Sequence, residues 1–207
     1  MRKCSFEKNH REFEGWIRWY GQFISKLVLA KHVVRTKLQK LELMEALVLR
    51  CVVRWEVLVE QDIVASLNRD TSTYSAQTGL SLRKHLTRDE CEAILVGHRY
   101  VDFRNVGAVK DFGKHYLSPK YDPFSAIPSK LATRIDDFIC MRNLLAHYSK
   151  LAARTYQNRL AKRFSLRRIP EPGEFLNAVN PKSGMFRRDE YLHAFVETSE
   201  LMVKAVT

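Results

Sequence analysis

Apolar residues recur along this chain at intervals of three and four, and no segment of useful length alternates strictly between apolar and polar, so the pattern predicts helices and no sheet. Residues 13–34 place Trp16, Ile17, Tyr20, Phe23, Ile24, Leu27 and Val28 on one stripe that reaches Lys31. This is an amphipathic helix, and its aromatic rings are assigned to a core in preference to a base-stacking platform. In residues 37–67 the apolar positions, among them Leu38, Met44, Leu47, Val52, Trp55 and Val59, run almost all round the helix, which predicts a central element packed on several sides. Glu56 and Glu60 stand four residues apart on it and read as surface carboxylates, not as an acid–base pair.

The polar stretch 68–81 reads as a loop. Thr87 and Glu90 form a capping box ahead of a short helix at Cys91, because the hydroxyl can accept from the Glu90 amide while the carboxylate reaches back. The segment from His98 to Pro128 is punctuated by Gly and Pro, with Phe103, Val106, Val109 and Phe112 spread through it, and one short helix is expected at 106–116. A third long helix is expected over 129–164, with a break near Tyr156, ended by the prolines of the Arg167–Phe175 stretch. A loop at 177–184 and a final helix over 187–205 complete an all-α fold, a bundle of about five to six helices in a single domain, 1–207, with the third long helix buried at its centre. No internal repeat or low-complexity tract interrupts it.

That third helix carries the most suggestive residues. At about 100° per residue, Leu131, Ile135, Phe138, Ile139, Leu145 and Ala146 all fall within about 60° of Arg142, so the guanidinium is expected in the middle of an apolar stripe. An arginine there stays charged and needs anionic or carbonyl partners; Glu45 and Glu56 of the second helix are candidates, and a ligand is another. Asp136, Cys140, Asn143 and His147 cluster at roughly 100–160° from Arg142, and Leu144, Tyr148 and Leu151 form a second apolar strip at about 180–240°. The Arg-x4-His spacing has little specificity by itself: 20 arginines and seven histidines predict roughly 0.7 such pairs by chance, and a second pair, Arg188 and His193, is present at the edge of the last stripe. Cys140 reads as a packed thiol and not a nucleophile.

The run IDDFICMRNLLAHY, with Arg142, the polar Asn143 directly after it, three further residues and His147, resembles the signature of the HEPN superfamily of small all-helical proteins. The match covers about 20 residues. The resemblance implies a metal-independent endoribonuclease that works as a homodimer, two motif helices facing one another across a composite cleft. It also implies Arg142, Asn143 and His147 as the catalytic set, with Asp136 and Tyr148 in support and no cofactor. His147 as neutral imidazole would take or relay the 2′-hydroxyl proton, Arg142 would bind the non-bridging phosphate oxygens, and Asn143 would position phosphate or imidazole, leaving a 2′,3′-cyclic phosphate and a 5′-hydroxyl. Burial and a neighbouring guanidinium would favour the neutral imidazole. The family also suggests a toxin of a toxin–antitoxin pair or an antiviral ribonuclease, with an antitoxin or another defence-system protein as partner. The alternative is a catalytically inactive helical module that binds RNA, a nucleotide or a partner protein.

Composition narrows the partners. A net charge of +12 favours a polyanion, because each neutralised phosphate releases counterions and steers encounter. Arg154, Arg159, Lys162, Arg163, Arg167 and Arg168 form the densest basic group, and Lys150, Arg154, Arg159, Lys162 and Arg163 are the expected RNA contacts. Four dispersed cysteines without a Cys-x-x-Cys pair argue for a reducing compartment and against a zinc site. No apolar run approaches the roughly 20 residues of a membrane span and no signal-peptide pattern opens the chain, so the expected location is cytoplasmic. No Gly-rich phosphate loop, His-x-His or His-Glu-x-x-His set supports a nucleotide hydrolase or metallohydrolase, and no helix-turn-helix supports a DNA-binding regulator.

Overall fold

The computed structural model describes residues 3–30, 36–97, 105–164, 166 and 168–207, and among them the fold is all-α. Nine helices occur there: α1 (Phe6–Leu29), α2 (Lys37–Arg69), α3 (Ser72–Thr78), α4 (Arg88–Gly97), α5 (Val106–Tyr116), α6 (Ser129–His147), α7 (Lys150–Phe164), α8 (Pro172–Asn177) and α9 (Arg187–Val206). Two 3-10 turns, Pro119–Tyr121 and Phe124–Ala126, lie between α5 and α6, and the only β pairing among the described residues is an isolated bridge between Val179 and Phe186. No helix among them is long and apolar enough to cross a membrane. Phe103, Lys31 and the expected end of the first helix at 34 lie outside the described residues.

Nine helices exceed the five to six expected, and two departures account for most of the difference. The stretch read as a loop at 68–81 contains α3, because Tyr74 is buried and Gly79, with φ of 72°, closes the turn by donating its amide to the Ser75 carbonyl. The expected helix over 129–164 is two helices, and the break is at Tyr148 and Ser149, not near Tyr156. Tyr156 is instead a buried residue of α7 whose hydroxyl donates to the Pro170 carbonyl. The capping box and the short helix at 106–116 are present as expected: the Thr87 amide donates to Glu90 at 2.7 Å and the Glu90 amide to the Thr87 hydroxyl at 3.3 Å.

The chain forms two compact units, and α1, α2, α6 and α9 each contribute a stretch to both. The first comprises Met1–Glu14, Trp55–Ala132 and Glu197–Thr207. Its core gathers Phe13 edge-on to Trp55, with Phe6, Leu58, Ile63, Leu67, Tyr74 and Phe124 fully or almost fully buried. Gly113 allows α5 to approach the loop beyond it, since a Cβ there would stand 2.4 Å from Asp122 Oδ1. Inside this core lies a polar chain that ends at half-buried Glu14. The Ser199 hydroxyl donates to Glu14 at 2.9 Å and lies 2.7 Å from His10 Nδ1, while His10 Nε2 lies 2.8 Å from Asp62. With the serine proton committed to Glu14, the Ser199 oxygen accepts from Nδ1, and the other imidazole nitrogen shares its proton with Asp62. Burial raises the Asp62 carboxyl above the usual range, with His10 pulling it back.

The second unit comprises Gly15–Arg54 and Thr133–Val196. Phe138 stacks on Tyr191 with centroids 5.0 Å apart and meets Phe195 edge-on; Phe175 meets Tyr191 and Phe164 in the same way. Gly173 at the start of α8 lies against the Leu41 backbone of α2, where a Cβ would be 2.8 Å from the Leu41 carbonyl oxygen.

Removing one member of the polar chain should strand the other. Asp62→Ala is expected to lower the unfolding free energy by about 1–3 kcal/mol in urea titrations, because one nitrogen of the His10 imidazole is left in the core without its hydrogen-bond partner.

Candidate functional site

Helix α6 begins where Pro128 supplies its carbonyl to the amides of Leu131 and Ala132. Its apolar stripe is deeply buried at Leu131, Ile135, Phe138 and Ile139, reaches the edge of the core at Leu145, and is exposed at Ala146. Arg142 and Asn143 are therefore half-buried and His147 is exposed. The sequence placed Arg142 at the centre of a core-facing stripe; the helix leaves the core within the motif, so only part of the guanidinium, including Nε, is enclosed. Burial expected around the imidazole is absent for the same reason.

The end of α6 explains that exposure. The Tyr148 amide donates to the Leu144 carbonyl at 2.9 Å, and Tyr148 itself takes a left-handed conformation with φ of 44°. Ser149 then caps α7, its hydroxyl accepting from the Ala152 amide at 3.1 Å. The second apolar strip is buried at Leu144, but beyond the break Tyr148 is 75% and Leu151 76% exposed. A serine ahead of a new helical pattern was the available sequence signal for this break.

Asp137, one residue from the expected supporting Asp136, holds the unit around α6. It is fully buried, and it accepts from Arg159 Nε at 2.5 Å, from Arg163 Nη1 and from the Tyr191 hydroxyl at 2.7 Å. Arg159 also donates to the Thr133 carbonyl and lies 3.8 Å from Asp136. The basic group of α7 thus divides in two. Arg159 and Arg163 turn inward to Asp137, which removes them from the expected RNA-contacting surface, whereas Lys150, Arg154 and Lys162 are exposed. Sequence reasoning missed Asp137 because it shares its strip with Leu144 and so falls on an apolar face; the i, i+4 pair Arg159 and Arg163 was the hint that one carboxylate could take two guanidiniums.

The other pair behaves differently. Arg188 is only 5% exposed, with Asn177 accepting from Nη1 at 3.2 Å, Asp189 3.5 Å from Nε, and Phe186 under the guanidinium. Burial lowers its pKa, and His193 is exposed. The more deeply buried arginine is thus Arg188, whose neighbours are structural. Cys140 is buried and desolvation raises its thiol pKa, which fits a packing role.

Asn143 and His147, four residues apart, share one helix face, and neither side chain hydrogen-bonds to another described residue. Arg142 is about 140° round the helix from His147, so a single α6 presents guanidinium and imidazole to different directions.

Two substitutions test this local architecture. Tyr148→Gly should stabilise the protein by about 0.5–1 kcal/mol in thermal or urea unfolding, because glycine adopts positive φ without the Cβ clash. Tyr191→Phe should cost about 1.5–3 kcal/mol by the same measurement, since it removes one donor from a buried carboxylate. In comparisons with known proteins, no family model, no curated protein and no solved structure matches this chain.

Proposed function

We propose that the protein is a metal-independent endoribonuclease of HEPN type, acting as a homodimer on RNA. The observation that carries the reading is the run Arg142-Asn143-Leu144-Leu145-Ala146-His147 at the solvent-reaching end of α6. A guanidinium, an amide and an accessible imidazole are the groups that metal-free phosphodiester cleavage needs. His147 of one protomer takes the 2′-hydroxyl proton, the 2′-oxygen attacks phosphorus, and Arg142 neutralises the non-bridging oxygens. The bond to the 5′-oxygen breaks as that oxygen receives a proton from the imidazolium of the second protomer, which becomes neutral, leaving a 2′,3′-cyclic phosphate and a 5′-hydroxyl. The offset of about 140° between Arg142 and His147 favours a site built from two helices over one built from one. Exposed Lys150, Arg154 and Lys162 follow on α7 and would hold the flanking phosphates. Asn143 would orient phosphate or imidazole, and Asp136 and Tyr148 would act from the margin of the site. A role as a toxin or antiviral ribonuclease in the cytoplasm, with an antitoxin or other defence-system partner, goes with this reading.

One observation favours a second reading. No described side chain holds the His147 ring, as a general base requires, so a catalytically inactive helical module that binds RNA, a nucleotide or a partner protein fits the isolated protomer.

The two diverge on product. His147→Ala and Arg142→Ala should each lower RNA cleavage by about 10²–10⁴-fold, and EDTA should leave the wild-type rate unchanged. His193→Ala should cleave normally. Intact RNA after incubation with the wild type, or a His147→Ala rate equal to wild type, sinks the catalytic reading in favour of the module.

A further inference from the structure

The apolar stripe of α1 is not wholly core. Trp19 is 58% and Phe23 42% exposed, and with Trp16 and Tyr20 they form a continuous ladder of rings on one helix face. Trp16 lies 4.8 Å from Tyr20 with an interplanar angle of 23°, and Trp19 lies 5.6 Å from Phe23 at 9°. Two exposed arginines of α2 flank the ladder. Arg54 places its guanidinium 5.1 Å from the Trp16 ring centroid; Arg50 is exposed one turn earlier on the same helix, and while burial raises the Tyr20 hydroxyl, the Arg50 charge pulls it back. Among the described residues no carboxylate pairs with either arginine. All six residues belong to the second unit.

Large aromatic rings in water are an unfavourable surface unless something covers them. A partner for this face must offer flat apolar surfaces to the rings and negative charge to Arg50 and Arg54. A protein carrying a net charge of +12 repels a second copy of itself at a face with two unpaired cations, which disfavours self-association there. A double helix conceals its bases. A single strand supplies both features, bases free to stack and a phosphate at every step, and alternating rings and cations are how strand-binding grooves take it up without reading sequence.

We propose that the α1–α2 face formed by Trp16, Trp19, Tyr20, Phe23, Arg50 and Arg54 is a binding site for single-stranded nucleic acid. Bases stack on the exposed faces of Trp19 and Phe23, and the two guanidiniums take adjacent phosphates. The site extends the ribonuclease reading by giving the substrate strand a second foothold outside the motif, and it rests on that reading only for RNA, not DNA, as the natural strand.

The test uses a short labelled single-stranded DNA, which lacks the 2′-hydroxyl and so reports binding without cleavage, followed by fluorescence anisotropy. Trp19→Ala with Phe23→Ala should weaken binding about tenfold or more. Arg50→Gln with Arg54→Gln should reduce the slope of log affinity against log salt by roughly 0.7 per arginine. A duplex of the same sequence should compete poorly. The conservative Trp19→Phe, which keeps a ring in place, should retain most of the affinity while losing part of the tryptophan quenching seen when the wild type binds. Unchanged affinity in the double aromatic variant overturns the proposal. So does conversion of a wild-type oligomer to monomer by that variant with strand affinity intact, which would make the face a protein interface. If the strand binds as expected and RNA incubated in parallel stays whole, the face stands and the ribonuclease reading falls; if RNA is cut but the aromatic variant binds normally, the face falls alone.

Discussion

Asp137 has no exposed surface, and two other helices of its unit send it donors: Arg159 and Arg163 from α7 and Tyr191 from α9. A carboxylate stripped of water is tolerated only when its lone pairs are filled by charged or strong donors, and here they are filled from two directions. The arrangement constrains α7. The chain has just reversed out of α6 through a left-handed tyrosine, and two arginines one turn apart must return to a single buried residue on the helix it left. The aromatic packing of Phe138, Tyr191 and Phe195 surrounds the same anchor. The position of the motif end of α6 relative to the exposed cations of α7 depends on this one carboxylate.

The first unit uses the same physics for a different result. Its Ser199, His10 and Asp62 stand in a hydrogen-bonded row that resembles a nucleophile, base and orienting acid, with the serine also bonded to Glu14. All three are sealed in the core, and a row that no substrate can reach stabilises packing; it does not catalyse. His147 has access to solvent and lacks a described orienting partner, whereas His10 is fully oriented and has no access. A general base needs both.

Long, strongly periodic elements were legible in the sequence. Helices α2 and α9 follow the apolar spacing closely, and α4 is marked by a capping box. Elements whose signal is tertiary were not. Tyr74 anchors α3 through its burial, in a stretch whose composition is that of a loop. The aromatic stripe of α1 had the spacing of a core, yet spacing fixes only which residues share a face; Ile17 and Ile24 are buried while Phe23 is 42% exposed. The motif was legible as a set of residue types, and its setting was not, because a helical wheel has no way to show that the stripe leaves the core at Ala146.

Local sequence was enough for the all-helical class, for three of the four long periodic segments, for the basic character and for placing Arg142, Asn143 and His147 on one helix. These depend on local spacing and on charge, both of which are carried by neighbouring residues. Tertiary structure alone decided which charges face water. Arg159 and Arg163 carry the same charge as Arg154 and Lys162 on the same helix, but a buried aspartate one helix away claims the first two. Arg188 is sealed while Arg142 is half-open, against the order their stripes suggested. The cost of dehydrating a charge is set by every group that surrounds it, and those groups are far apart in the chain.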